Sequence, residues 1–255
     1  MKHLKSVWIW FIGCLIWVSV GVTAPSPLSA LEIVKRSDEL SRGKSSYAEL
    51  MIKTVRPSWE RKMKMKNWTL GTDYTLVYIL SPAKEKGTVF LKRKKEMWNW
   101  IPRIDRSIKL PPSMMMQSWM GTDFTNDDLV KQSSIVTDYT HELMGDSLIE
   151  KRSCWKIKMT PLENAPVVWG GIVIWVEKEH YLQLKVEYYD EEGELINVLL
   201  GKKIKKMGGR LLPSVLEYIP MDKEGHKTVI EYQKLKFDVS LNQSFFSSRN
   251  MKKVK

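Results

Sequence analysis

The chain has 255 residues, 43% of them hydrophobic, and its 41 basic against 29 acidic side chains give a net charge of +12. Lys2 and Lys5, an apolar run from Val7 to Val22 and small residues up to Ala30 have the form of an export leader, which argues against nucleic acid as a partner. The remaining stretch of about 225 residues is enough for one β-rich domain, and its single cysteine, Cys154, excludes an intramolecular disulfide.

The expected division is a signal peptide over residues 1–30 and one domain over 31–255. Cleavage falls after Ala30 or after Ala24, and an uncleaved anchor is the alternative, although about 16 apolar residues are short for a membrane span. The leader holds two of the basic residues and none of the acidic ones, so the rest carries 39 against 29, or +10. Anionic lipid headgroups or acidic protein patches suit that charge, as does simple solubility of a lysine-edged sheet.

Leu31 to Ser41 reads as an amphipathic helix, with Ile33, Val34 and Leu40 inward and Gly43 as its stop. From Ser45 the hydrophobic period changes to two. Tyr47–Val55 is the first strand, and Arg56-Pro57-Ser58 interrupts the run. In the next, Trp59 to Trp68, the side chains of Trp59, Met63 and Met65 share one face while Glu60, Lys62, Lys64 and Lys66 share the other. One side of the sheet is thus covered and the other wet.

Strand segments follow at Tyr74–Leu80, Thr88–Lys92, Met97–Ile101 and Ile104–Leu110. Pro111 and Pro112 end this series, and Ser113 to Met120 reads as a short helix closed by Gly121. In that helix Met115 would meet Trp119 and Met116 would meet Met120 at i, i+4 spacing. Five of 14 methionines and three of 11 tryptophans fall between Met97 and Met120, Trp98 and Trp100 among them. Methionine fills irregular gaps and recurs at surfaces that accept varied ligands. The stretch reads either as a removable lid over an apolar cavity or as a plain core helix.

Thr125 to Leu129 looks like a second helix start, with Asp127 and Asp128 in its first turn. Strands resume at Ser134–Leu143, Cys154–Thr160, Gly171–Val176, Tyr181–Tyr188, Leu195–Ile204, Leu211–Ile219 and Thr228–Phe237. Asp190 to Gly193, Gly208-Gly209 and Asp222 to Gly225 supply the turns. Roughly ten antiparallel strands and few helices predict a large curved sheet or barrel.

No catalytic constellation is present. His141, His180 and His226 are not spaced as a metal set, and no HExxH, CxxC or GxSxG occurs. Asp123, Asp127 and Asp128 read as helix capping rather than a calcium loop, and Glu191, Glu192 and Glu194 as a solvated turn. Cys154 reads as a buried small hydrophobe. The expectation is a protein without enzymatic activity, metal or cofactor.

Several stretches resemble the LolA-like outer-membrane lipoprotein-sorting proteins in their shared order. They are Val55-Arg56-Pro57-Ser58-Trp59-Glu60-Arg61, Met97-Trp98-Asn99-Trp100-Ile101-Pro102, Tyr181-Leu182-Gln183-Leu184-Lys185, Tyr189-Asp190-Glu191-Glu192-Gly193 and Asn242-Gln243-Ser244-Phe245-Phe246. The resemblance implies an incomplete antiparallel β-barrel of about eleven strands with a helical lid and an N-terminal helix. It further implies a periplasmic carrier for lipoprotein acyl chains or lipids, with an inner-membrane transporter as donor and an outer-membrane acceptor. Arg56 matches the arginine that ties down the lid in that family. The implied lipid-binding and lid set is Arg56, Trp59, Met63, Met65, Trp98, Trp100, Met115, Met116, Trp119 and Met120. A periplasmic sensor or adaptor on the same scaffold is the alternative. Lysine-rich strand faces argue against an integral outer-membrane barrel.

Overall fold

The computed structural model describes residues 28–126, 128, 135–163, 165 and 167–255. Helix α1 spans Ala30–Arg42, with the Ser29 hydroxyl accepting from the Glu32 N–H and Gly43, at φ 67°, closing the last turn. Among the described residues, thirteen strands follow. They are β1 (Ser45–Arg56), β2 (Trp59–Leu70), β3 (Tyr74–Ser81), β4 (Val89–Arg93), β5 (Glu96–Ile101), β6 (Arg106–Lys109) and β7 (Tyr139–Ile149). The second half has β8 (Arg152–Pro161), β9 (Gly171–Glu177), β10 (Gln183–Tyr189), β11 (Leu195–Met207), β12 (Arg210–Pro220) and β13 (Lys227–Phe237). A short helix α2, Ser248–Met251, ends the chain.

All thirteen strands belong to one sheet, ordered β6-β5-β4-β3-β2-β1-β13-β12-β11-β10-β9-β8-β7. Every neighbouring pair is antiparallel, and the first and last strands meet in the middle through the β1–β13 ladder. The edges are β6 and β7, consecutive in sequence yet at opposite ends of the sheet. Of the segment that follows β6, residues 119–124 cross the open side of the structure, from Phe90 of β4 to Tyr218 of β12. Irregular register at Glu49/Leu50, Lys64/Met65 and Leu143/Gly145 bends the strands, and the sheet curves without closing.

The mainly β fold and incomplete barrel agree with the sequence reading, and the strand count is thirteen rather than about eleven. Each alternating segment between turn residues forms its own strand, including the four-residue β6. That strand is shorter than the segment Ile104–Leu110 because Pro102–Ile104 forms a 3-10 turn and Asp105, at φ 50°, breaks the extended run. Ser134, the expected start of the next strand, lies outside the described residues; strand β7 opens at Tyr139.

Two inward-facing clusters fill the trough. Ile33 and Val34 of α1 pack on Ile157, Met159, Ile172 and Ile174 under one half of the sheet. Met63, Met65, Ile79, Phe90 and Met97 form the other cluster, together with Trp119 from the crossing segment. Burying a residue of this size contributes about 1.5–3 kcal/mol, so both covers are held chiefly by apolar contact. A third cluster lies on the outer face, where Phe246 and Met251 cover Leu76, Leu91 and Trp100. Cys154 is fully buried, and burial pushes its thiol pKa up.

Candidate functional site

Between the curved sheet, α1 and the crossing segment lies a cavity of about 440 Å³, within the range of ligand-binding pockets. Strand alternation builds it. On β2 the odd-numbered residues Met65 and Asn67 reach inward while Lys62 and Lys64 are exposed outside. On β4 the inward pair is Phe90 and Lys92, and on β5 it is Met97. The opposite wall is aromatic: Trp169 stacks on Tyr188 at 5.2 Å and Tyr188 on Tyr218 at 6.1 Å. Burial raises the pKa of the phenols of Tyr188, Tyr218 and Tyr232, so all three are neutral, weakly polar wall groups.

The cover differs from the expected helix. Pro112–Met114 and Trp119–Gly121 are single 3-10 turns, and Met120 and Gly121 both take positive φ, 51° and 70°. An α-helix of eight residues has too few internal hydrogen bonds to persist alone. The chain folds back on itself instead: Ser118 bridges Thr125, with Trp119 N–H donating to Phe124 O at 2.7 Å and Asn126 N–H to Gln117 O at 3.0 Å. This reversal drives Trp119 onto Phe90, ring centroids 5.3 Å apart, and Phe124 onto Tyr218 at 4.5 Å. The lid thus grips both walls with one aromatic each.

Arg56, at the end of β1, ties this loop to the sheet. Its Nη1 donates to Asp123 Oδ2 at 3.1 Å, its Nη2 reaches Asp123 Oδ1 at 3.0 Å, and Nη2 also donates to Gly121 O at 3.2 Å. Thr228 of β13 donates its hydroxyl proton to Asp123 Oδ2 at 2.7 Å. The two charged side chains are 12% and 5% exposed, so water screens the pair little. Asp123 is therefore the lid's anchor rather than a helix cap. Thr125 and Asp128 do form the capping contact expected of a helix start; Asp127 and Leu129 lie outside the described residues.

The residues nominated from sequence divide into three groups. Met65 and Trp119 line the cavity, while Met63, Met115 and Met120 pack in the cluster behind it. Trp59 is 51% exposed at the rim, stacked under Arg56 at 5.7 Å, and Met116 is 63% exposed. Without the helix, the stacking of Met115 on Trp119 and of Met116 on Met120 has no spacing to support it. Trp98 and Trp100 point to the outer face, beneath the C-terminal segment, with Lys252 over Trp100 at 4.6 Å. Phe90, Asp123 and Phe124 were missed. Asp123 and Phe124 sit in a segment whose only sequence signal was capping.

Among the described residues, Glu177, Glu179 and His180 are the one group whose ligand atoms lie mutually within 4.8 Å. They sit at the β9–β10 turn and do not line the cavity. Glu177 is engaged there, accepting from the His180 N–H at 2.7 Å and from Arg152 at 3.3 Å. No described helix is long and apolar enough to cross a membrane.

An open antiparallel half-barrel around an apolar cavity, roofed by the segment joining its two edges, defines a LolA-like fold. Solved structures with this fold include three at TM-scores of 0.74 to 0.78. One is a DUF1329 family protein from Desulfovibrio piger, at 23% identity over 87% of this chain and 97% of that one, TM-score 0.78. Another is a putative outer membrane lipoprotein-sorting protein domain from Vibrio parahaemolyticus, at 20% identity over 88% and 98%, TM-score 0.75. The third is a LolA superfamily protein from Nitrosomonas europaea, at 20% identity over 88% and 100%, TM-score 0.74. A family model described as "Uncharacterized protein" matches residues 71–253, and the chain belongs to that family. No curated protein matches the sequence.

Proposed function

We propose that this protein is a periplasmic carrier that shelters the acyl chains of lipoproteins or lipids in its half-barrel and passes them toward the outer membrane. The observation that carries this reading is the apolar cavity of about 440 Å³ under a lid held by one arginine. Each buried methylene contributes about 0.8 kcal/mol, so the cavity can retain a chain without any covalent step. Release then requires the roof to move. Residues 113–125, which hold only short 3-10 turns and are pinned by Arg56, Trp119 and Phe124, can open without unfolding the sheet. The donor would be an inner-membrane transporter and the receiver an outer-membrane acceptor. The test is native mass spectrometry of protein purified from its own periplasm, with lipid extraction alongside. An acylated species at near one-to-one occupancy is expected; an empty protein that also fails to take up acyl probes in vitro refutes the carrier.

A sensor or adaptor draws support from the edge strand β7, where Leu143, Met144 and Leu148 are 47%, 51% and 72% exposed. A free strand edge with apolar side chains is a surface for strand addition. Cross-linking through β7 to a membrane protein only when cargo is bound would favour this second reading over transfer.

A further inference from the structure

The cavity has a polar end. Ser46 of β1, Thr69 of β2, Thr75 of β3 and Lys92 of β4 stand in register as one row across the sheet, and all four line the cavity. One step toward the lid, the matching row is Ala48, Asn67, Val77 and Phe90, and beyond it the floor is apolar. Ser46 and Thr69 satisfy each other, hydroxyl to hydroxyl at 2.6 Å. Lys92 has no such partner. It is 6% exposed and makes no ion pair among the described residues.

Its neighbours make the charge harder to keep. Arg42 of α1 faces it, itself paired with Asp38 at 2.6 Å. Burial and then Arg42 push the Lys92 pKa down to about 8, with Asp73 acting in the opposite direction. From α1 the Ser37 hydroxyl, 1% exposed, also lines the cavity and has no hydrogen-bond partner among the described residues. A buried ammonium beside a second cation, with an unused hydroxyl donor on the same wall, is unfavourable for the fold by itself. An incoming anion supplies what Lys92 and Ser37 lack.

We infer that this end of the cavity is a head-group site for an anionic amphiphile. The acyl chain lies toward Met65, Met97 and Trp119, and a carboxylate or phosphate is held by Lys92 and Arg42 with a hydrogen bond from Ser37. The site rests on the carrier reading and narrows its cargo to molecules with one acidic head.

The test is displacement of N-phenylnaphthylamine, an uncharged apolar fluorophore, by three single-chain amphiphiles of equal length: palmitate, hexadecyl phosphate and hexadecanol. The wild type is expected to bind the acids at least about tenfold more tightly than the alcohol, the scale of a hydrogen-bonded charge pair. Lys92→Met should bring the two acids down to the affinity of hexadecanol, and Lys92→Arg should keep the preference. Whichever acid is preferred identifies the head as carboxylate or phosphate. Continued displacement of the fluorophore by hexadecanol shows that the variant is folded. Equal affinity of the wild type for all three overturns the head-group site while leaving the carrier intact, as does an acid preference that survives Lys92→Met. Failure of all three to displace the fluorophore sinks both.

Discussion

Lys92→Met tests the same residue through stability, without any ligand. A free lysine titrates at 10.5, whereas burial and Arg42 hold Lys92 to about 8. At about 1.36 kcal/mol for each tenfold change in proton affinity, that fall corresponds to about 3 kcal/mol against the charged folded form. The sign follows from proton counting. Below pH 8 both folded and unfolded states carry the proton, and the native state bears the full penalty. Between pH 8 and 10.5 the unfolded chain holds more protons than the folded one, so wild-type stability rises with pH relative to a variant lacking the amine. The charged groups facing Lys92 are Arg42, its partner Asp38, and Asp73, and they are common to both proteins. Lys92→Met should therefore be about 3 kcal/mol more stable at pH 7, with the gap closing as pH approaches 10.5. Urea unfolding of the two proteins at pH 7, 8, 9 and 10 measures it. A variant no more stable than wild type at pH 7, with a gap indifferent to pH, would show that Lys92 is not an uncompensated buried cation.

Four further outcomes are expected. Arg56→Leu leaves Asp123 buried with only Thr228, so amide exchange over residues 117–126 should accelerate, with donor-to-acceptor transfer altered more than global stability; unchanged exchange there would remove Arg56 as the latch. Trp119 and Trp169 should be the tryptophans whose emission shifts when an acyl probe binds, visible as a difference reduced in Trp119→Phe, whereas Trp98→Phe and Trp100→Phe should retain it in full. Gly201→Ala places a Cβ 2.6 Å from Gln183 O and about 3 Å from Pro213, so thermal unfolding should fall by more than the roughly 1 kcal/mol of an ordinary strand substitution. Because Leu28 packs in the core and Ser29 caps α1, deletion of residues 1–24 should leave thermal stability intact while deletion of residues 1–30 lowers it, and equal stability of the two forms would refute this.

The strands were legible because their signal is local. Met63, Met65, Lys62 and Lys64 divide between covered and wet faces in the way their period of two requires. Helix α1 was equally plain in its periodicity and its Gly43 stop, while its cap, Ser29, lay inside the segment assigned to the leader. The lid was not legible. Proline, serine and glycine around Ser113–Met120 are compatible with a short helix, and local propensity has no means of registering that Trp119 and Phe124 each have an aromatic waiting on a different wall. Tertiary contact outweighed a helix too short to hold itself.

Alternation settled which residues of each strand point the same way, and Arg56 beside Pro57 was readable as a strand end, its tie to the lid being implied only by the family resemblance. Which face would become the cavity was decided elsewhere. Trp98 and Trp100 looked like cavity residues because they are large and apolar, yet Phe246 and Met251, some 150 positions downstream, cover the outside and give those rings a second core. In the sequence Lys92 is the last residue of the strand segment Thr88–Lys92 and carries no further signal. Its burial exists only because the sheet curves and α1 folds back across it, bringing Arg42 and Ser37 to the same cavity wall. A side chain's direction within a strand is set by its immediate neighbours, but its solvation is set by whatever the rest of the chain lays over it.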